Sequence, residues 1–225
     1  MVQEAGADFV EVGIPFSDPL ADGPTIQRST QVALAGGTTV PGVISLIREA
    51  DLKIPVIAFG YLNPILAYGV QRFLDDASEA GVAGLLLTDL PAGEDPELEA
   101  MIRDSSLALI RLVAPTTDRE RLAKTVAGAE GFIYLISRLG VTGPETTVGK
   151  GITEAVDRLR SATSLPIAVG FGIGSGEQAA ELAKIADGIV VGSALIERLA
   201  QGLEPARELM NELSESLRDA SSVTD

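Results

Sequence analysis

Short, continuous apolar runs alternate with amphipathic stretches along almost the whole chain, and this alternation restricts the fold more than any other feature. The runs are 8–14 (DFVEVGI), 55–61 (PVIAFGY), 84–89 (GLLLTD), 107–114 (LALIRLVA), 131–137 (GFIYLIS), 166–171 (PIAVGF) and 188–193 (GIVVGS). Most are apolar throughout rather than at every second residue, as expected of parallel strands covered on both faces. The segments 25–36, 70–81, 118–128, 153–163 and 176–186 carry apolar residues at helical spacing. In the last stretch Leu209, Met210, Leu213 and Leu217 share one helical face. Gly36, Gly81 and Gly128 are expected to close their helices in the left-handed conformation. Strand and helix in strict succession give a parallel α/β fold, either an open doubly wound sheet or a barrel.

The sequence bears differently on these two forms. An open dinucleotide-binding sheet needs G-x-G-x-x-G after a strand. The nearest stretch, VGFGIGSGEQ, puts Ser175 or Glu177 where the last glycine belongs. No P-loop sequence is present either. A (β/α)8 barrel needs eight strands, and seven runs are visible. The opening MVQEAGADFVEV reads as the end of a helix entering a strand. The expectation is therefore a (β/α)8 barrel lacking, in this chain, the first strand and most of the first helix. A single domain over 1–220 is expected, with an irregular tail over 221–225.

Composition narrows the chemistry. There is no cysteine and no histidine, so disulfides, thiolate metal sites and imidazole catalysis are excluded and no metal site is read. Acid–base work must fall on carboxylates, tyrosines or lysines. The formal net charge of −15 argues against nucleic-acid binding. That acid excess fits either a salty cytosol or a solvated surface. No apolar run approaches the roughly 20 residues of a membrane span. The N-terminus has no basic segment leading an apolar one, so a cytoplasmic protein is expected.

Two regions stand out on residues alone. In FVEVG, Phe9, Glu11 and Gly13 share one strand face and Val10, Val12 and Ile14 the other. The β-branched face suits packing under helices, which turns Glu11 into the barrel near its C-terminal end. A carboxyl held there loses solvation and its pKa should rise; the competing reading is a structural acid paired with Arg111. Asp18 and Asp22 lie on the loop leaving this strand. Asp22 could equally cap the following helix, and Asp18 could fix a turn before Pro19. The second region holds Gly172, Gly192 and Ser193, on the loops after the last two strands. Glycines there admit an anion to backbone N–H groups, and the helix starting at Ser193 adds its positive end. The competing reading is that they only serve tight turns.

These same stretches, EVGIPFSDPLADGPTIQ, GFIYLISRLGVTG, VGFGI and IVVGSALI, resemble the tryptophan synthase alpha subunit family, in order and over nearly the whole chain. The resemblance implies a (β/α)8 barrel that cleaves indole-3-glycerol phosphate to indole and glyceraldehyde 3-phosphate. It implies a β subunit as partner in an α2β2 assembly, with pyridoxal phosphate on that partner and no cofactor in this chain. By the same resemblance Glu11 does acid–base work at indole C3 and the substrate hydroxyl, and Asp22 meets the indole N–H. Tyr134 matches a tyrosine near the reacting carbon, and Thr142 a mobile-loop threonine that closes on Asp22. Phe171 matches a residue near the indole ring, and Gly172, Gly192 and Ser193 match phosphate-binding positions. Asp18, Pro19 and the loop 61–69, with Asn63 and Pro64, fall where the family meets its β partner. Family members begin earlier, and the chain is expected to be N-terminally truncated relative to them. Two other readings are a non-catalytic partner that only activates a β subunit, and another phosphate-handling barrel such as a sugar-phosphate isomerase or epimerase.

Overall fold

The computed structural model describes residues 1–136, 148–170 and 172–222. The chain divides into two compact units, one formed by 7–111 with 128–131, the other by 1–6, 112–127 and 132–225.

The first unit opens with strand β1 (Val10–Gly13), then α1 (Pro24–Ala35) and α2 (Val40–Ala50). It continues with β2 (Val56–Gly60), α3 (Leu62–Tyr68), α4 (Val70–Glu79), β3 (Val82–Leu87), α5 (Pro96–Asp104) and β4 (Ala108–Val113), whose last two residues belong to the other unit. The four strands pair in parallel in chain order, with Glu11 beside Ile57 and Leu85 beside Leu109. This register sorts the side chains. Val10, Val12, Val56, Ala58, Leu85, Leu87 and Leu109 pack against Ile44 and Ile47 of α2, Ile65 of α3, Phe73 and Leu74 of α4, and Ile102 of α5. Ile65, Phe73, Leu74 and Ile102 are each 1% exposed, and burial of such a side chain stabilises by roughly 1.5–3 kcal/mol. Ile57, Leu86 and Ile110 line the opposite face. Gly84 makes room there, since a Cβ would stand 2.9 Å from Ile57 Cδ1 and 3.1 Å from the Ala108 carbonyl.

One charged pair is built into the helix-covered side. Arg111 Nη2 stands 2.7 Å from Glu99 Oε1, with only 4% and 8% of the two side chains exposed. The approach is off the hydrogen-bond line for Nη2. Arg111 Nη1 donates to the Leu90 carbonyl at 3.0 Å, and the Gly93 N–H donates to Glu99 Oε1 at 2.7 Å. The pair thus ties the β3–α5 loop beneath α5.

The second unit holds α6 (Arg119–Ala127), β5 (Ile133–Ile136), α7 (Val148–Arg160), β6 (Ile167–Gly170), α8 (Gly176–Ala183), β7 (Gly188–Val190), α9 (Ser193–Gln201) and α10 (Leu203–Ser222). Strands β5, β6 and β7 are parallel and adjacent in chain order. Helix α7 buries Ile152, Ala155, Val156 and Leu159, the stripe its spacing predicts. Helix α10 packs on α8 and α9, burying Ala206, Leu209 and Leu213. It runs through Ser222, so two residues of the tail expected from 221 are helical; residues 223–225 lie outside the described set.

The expected helix ends are corrected in two places. Gly81 does turn left-handed after α4, with φ +95°. After α1, however, Gly36 keeps φ −75° and the left-handed turn falls on Gly37, φ +79°. Gly128 is not left-handed; it stands where a Cβ would come within 3.8 Å of the Arg103 and Arg111 guanidinium groups. Helices α2, α3 and α5 lie outside the segments with helical spacing given above. Among the described residues no single helix is long and apolar enough to cross a membrane.

Candidate active site

The register of β1 turns Glu11 to the face opposite Val10 and Val12, away from the helices, as the alternation predicts. Its nearest sheet neighbour on that face is Ile57, an apolar side chain that offers no hydrogen bond. Glu11 Oε1 is buried and has no hydrogen-bond partner among the described residues. Burial pushes the carboxyl up from 4.5 to about 7, because the charged form loses water and gains nothing in return. The competing reading of a structural pair fails, since Arg111 is committed to Glu99. A carboxyl that titrates near neutrality can both donate and accept a proton at working pH.

The loop after β1 brings Asp22 to a second group, Tyr61, that spacing did not single out. Tyr61 follows β2, at the cap position of α3, and is 3% exposed, with its ring 5.5 Å from that of Phe16. Its hydroxyl accepts the Ala21 N–H at 2.9 Å and lies beside the Asp22 carboxylate, whose charged form it favours. Asp22 does not cap α1: the cap position is Gly23, with Pro24 opening the helix and no side chain bonding its amides. Desolvation raises the Asp22 pKa, and the Tyr61 hydroxyl opposes that rise. The Tyr61 phenol is raised chiefly by burial.

Asp18 and Pro19 lie earlier on the same loop. The Asp18 carboxylate accepts the Ser17 hydroxyl at 2.6 Å, and the Pro19 carbonyl accepts the Asp22 N–H at 3.2 Å. Leu20 beside them is 94% exposed. Asn63 and Pro64 sit in the first turn of α3, whose Leu62 N–H is held by Asp89 Oδ1 at 2.8 Å. Asp22 and the α3 positions therefore meet around Tyr61. A signal for Tyr61, Thr88 and Asp89 was present in the sequence: all follow the ends of parallel strands, where barrel folds place functional side chains.

In the second unit Tyr134 is buried on β5, and its ring lies across Gly170 of β6. A Cβ at Gly170 would fall 2.2 Å from the phenol oxygen, so the glycine is what lets the ring lie flat. Beyond β6, Gly172 is exposed at φ +79°. The two helices that follow end differently. Helix α8 is closed by its own chain: Ser175 Oγ accepts the Gln178 N–H at 3.4 Å, and Glu212 Oε1 accepts the Gly176 N–H at 2.6 Å. Helix α9 begins at Gly192 with no side-chain cap and open space around that residue. Ser193, its first residue, is exposed. A Cβ at Gly174 would stand 3.7 Å from Ala194 Cβ, so the loop after β6 runs beside this uncapped end. Uncapped N–H groups at a helix start attract an anion. Thr142 and Phe171 lie outside the described residues. Among the described residues no three carboxylates are grouped to hold a metal ion.

Comparison with known proteins points to one family. The family described as tryptophan synthase alpha chain matches residues 1–224. The tryptophan synthase alpha chain of Geotalea daltonii is 48% identical over 202 residues, covering 89% of this chain and 76% of the relative. That of Gluconacetobacter diazotrophicus is 50% identical over 203 residues, covering 89% and 74%. A solved structure of Mycobacterium tuberculosis tryptophan synthase superposes at TM-score 0.88 with 40% identity, covering 96% of this chain and 84% of that one. A Legionella pneumophila tryptophan synthase subunit alpha gives TM-score 0.85 at 33% identity, covering 97% and 84%. The fold is thus the (β/α)8 barrel, of which seven strands are described here. On sequence and structure alike, the chain belongs to the tryptophan synthase alpha chain family.

Proposed function

We propose that this protein is the α subunit of tryptophan synthase, a carbon–carbon lyase that cleaves indole-3-glycerol phosphate to indole and glyceraldehyde 3-phosphate in tryptophan biosynthesis. The β subunit partners it in an α2β2 assembly and carries the pyridoxal phosphate; this chain works without a cofactor of its own. The cytoplasm is the compartment we infer. The observation that carries the reading is Glu11, a carboxyl whose buried Oε1 has no hydrogen-bond partner among the described residues and which desolvation brings to about 7.

The cleavage needs a proton on C3 and a proton off the side-chain hydroxyl. Glu11 in its acid form protonates C3, and the Asp22 carboxylate stabilises the positive charge that develops at the indole N–H. The Glu11 carboxylate then takes the hydroxyl proton as the carbonyl forms. The electrons of the breaking C3–carbon bond return to the ring and restore neutral indole. One carboxyl thus gives a proton and recovers one, while the other stays ionised, a division that different surroundings allow. Asp22, beside the Tyr61 hydroxyl, is suited to the ionised role.

We assign Gly172, Gly192 and Ser193 to the phosphate, which the uncapped start of α9 supports. Tyr134, Thr142 and Phe171 are assigned to the substrate by family membership. Asp18, Pro19, Asn63 and Pro64 are assigned to the β-subunit contact, a reading supported by the exposure of Leu20 and Leu66 next to them, 94% and 52%. The test is indole release from indole-3-glycerol phosphate, with and without β subunit. Release that falls on Glu11→Gln supports the reading. Absence of release, with β-subunit stimulation that survives both Glu11→Gln and Asp22→Asn, leaves only a non-catalytic partner.

A further inference from the structure

We infer that Tyr61 is a positioning residue for the cleavage, acting through Asp22 rather than on the substrate. This rests on the reading of Asp22 given above and goes beyond it.

The argument begins with the loop. From Ser17 to Gly23 the chain is irregular, and the Asp22 side chain has no ion pair among the described residues. The Asp22 N–H is spent on the Pro19 carbonyl and the Asp22 carbonyl on the Gln27 side chain at 2.8 Å. These local bonds shape the loop without fixing its place over the sheet. The fixing contact is Tyr61, 40 positions from Ala21, whose hydroxyl takes the Ala21 N–H at 2.9 Å and lies within electrostatic reach of the Asp22 carboxylate. One hydroxyl therefore holds the backbone just before Asp22 and sits beside its carboxylate. The nearby hydroxyl favours the charged form of the carboxylate, the form needed to stabilise positive charge at the indole nitrogen.

A hydroxyl can hold a loop only if it is itself held. The Tyr61 ring is 3% exposed and leans on Phe16. Its backbone is pinned on both sides. The Gly60 carbonyl accepts the Thr88 N–H at 3.0 Å, and the Leu62 N–H is bound by Asp89 at 2.8 Å. Thr88 and Asp89 follow β3, so Tyr61 is anchored to the sheet rather than to the loop it serves. Support of this kind is what keeps a reacting group within a fraction of an ångström of its working position.

The experiment is a double-mutant cycle on the α subunit in complex with its β subunit, reading indole release. Tyr61→Phe keeps the ring and removes only the hydroxyl. It is expected to lower kcat about tenfold while KM changes by less than about twofold. In the Asp22→Asn background the same substitution should change kcat by less than about twofold, because the group it positions is gone. The second variant, Asp89→Ala, frees the start of α3 without touching the ring. It should lower kcat about threefold with the same dependence on Asp22, which keeps the test open if Tyr61→Phe folds poorly. Equal losses in both backgrounds, or an unchanged kcat in Tyr61→Phe, overturn the inference while an active wild-type complex leaves the functional reading standing. No release from the wild-type complex overturns both.

Discussion

Glu11 and Glu99 are the same residue type, in the same compact unit, both shielded from water, and the structure treats them in opposite ways. Glu99 stands 2.7 Å from Arg111, accepts the Gly93 N–H and has Arg103 3.7 Å away. Glu11 has a buried oxygen, Oε1, with no hydrogen-bond partner among the described residues. The register explains the difference. Arg111 is two residues along β4 from Leu109 and so shares its helix-covered face, where α5 presents Glu99. Glu11 is on the other face beside Ile57. A buried acid with its charge answered holds structure together; a buried acid left unanswered is kept at a structural cost, and a proton-transfer role accounts for keeping it.

The sharpest way to break that contrast is to neutralise Glu11. Glu11→Gln preserves shape and removes the proton, and should lower kcat for indole release by about 10²–10⁴-fold, the usual range for a lost general acid or base. KM should move far less, because the phosphate is held by other groups. Steady-state kinetics of the complex with β subunit measure both. Activity within threefold of wild type would return Glu11 to an incidental role.

The matching change at Glu99 should do the reverse. Glu99→Gln leaves the Arg111 guanidinium buried without a counter-charge, which costs about 3–5 kcal/mol. Urea denaturation followed by circular dichroism should show that loss, with activity per folded molecule close to wild type. If Glu99→Gln were as stable as wild type, the pair would be a bystander and the contrast would lose one side.

Acid titration tests the Glu11 side of the contrast. The Glu11 pKa is raised in the folded state, from 4.5 to about 7, so the folded protein binds this proton more tightly than the unfolded chain does. The penalty is absent below 4.5, grows as pH rises, and is complete above about 7. At 1.36 kcal/mol per pH unit it reaches about 3 kcal/mol. Glu11→Gln should therefore gain stability relative to wild type between pH 5 and pH 8, by about 3 kcal/mol or somewhat less if the amide is left unbonded. A difference between variant and wild type that is flat with pH would mean that Glu11 stays hydrated.

Much of this was readable before any coordinates. Alternation within FVEVG fixed the face of Glu11, because a strand has only two faces and β-branched residues claimed one. Order along the chain located all seven strands to within two or three residues. Pairing partners were not readable. Tyr61 meets Asp22 from 39 positions away, and Arg111 chooses Glu99 over Glu11, through a tertiary register that spacing does not encode. The reason for Gly170 was hidden for the same cause, since only the neighbouring strand reveals the Tyr134 ring lying over it. Gly36 misled because two glycines in succession offer the same left-handed turn, and backbone geometry chose the second.

A carboxylate introduced at Gly192 gives a third case, one answered by the helix start rather than by a cation or by nothing. Gly192 precedes α9 at φ −104°, which any residue can adopt, and a Cβ there meets nothing within 4 Å. Gly192→Asp would place a carboxylate beside the uncapped start of α9, whose positive end favours it by a few tenths of a kcal/mol. The same carboxylate would occupy the N–H groups assigned to the phosphate and repel the dianion. KM for indole-3-glycerol phosphate should rise about tenfold, close to 1.4 kcal/mol, with kcat at saturation less affected. Inorganic phosphate as a competitive inhibitor gives the independent reading, and its inhibition constant should rise in step. An unchanged KM together with unchanged phosphate inhibition would mean that the anion seat lies elsewhere in the loops after β6 and β7, and that the open end of α9 is a structural accident.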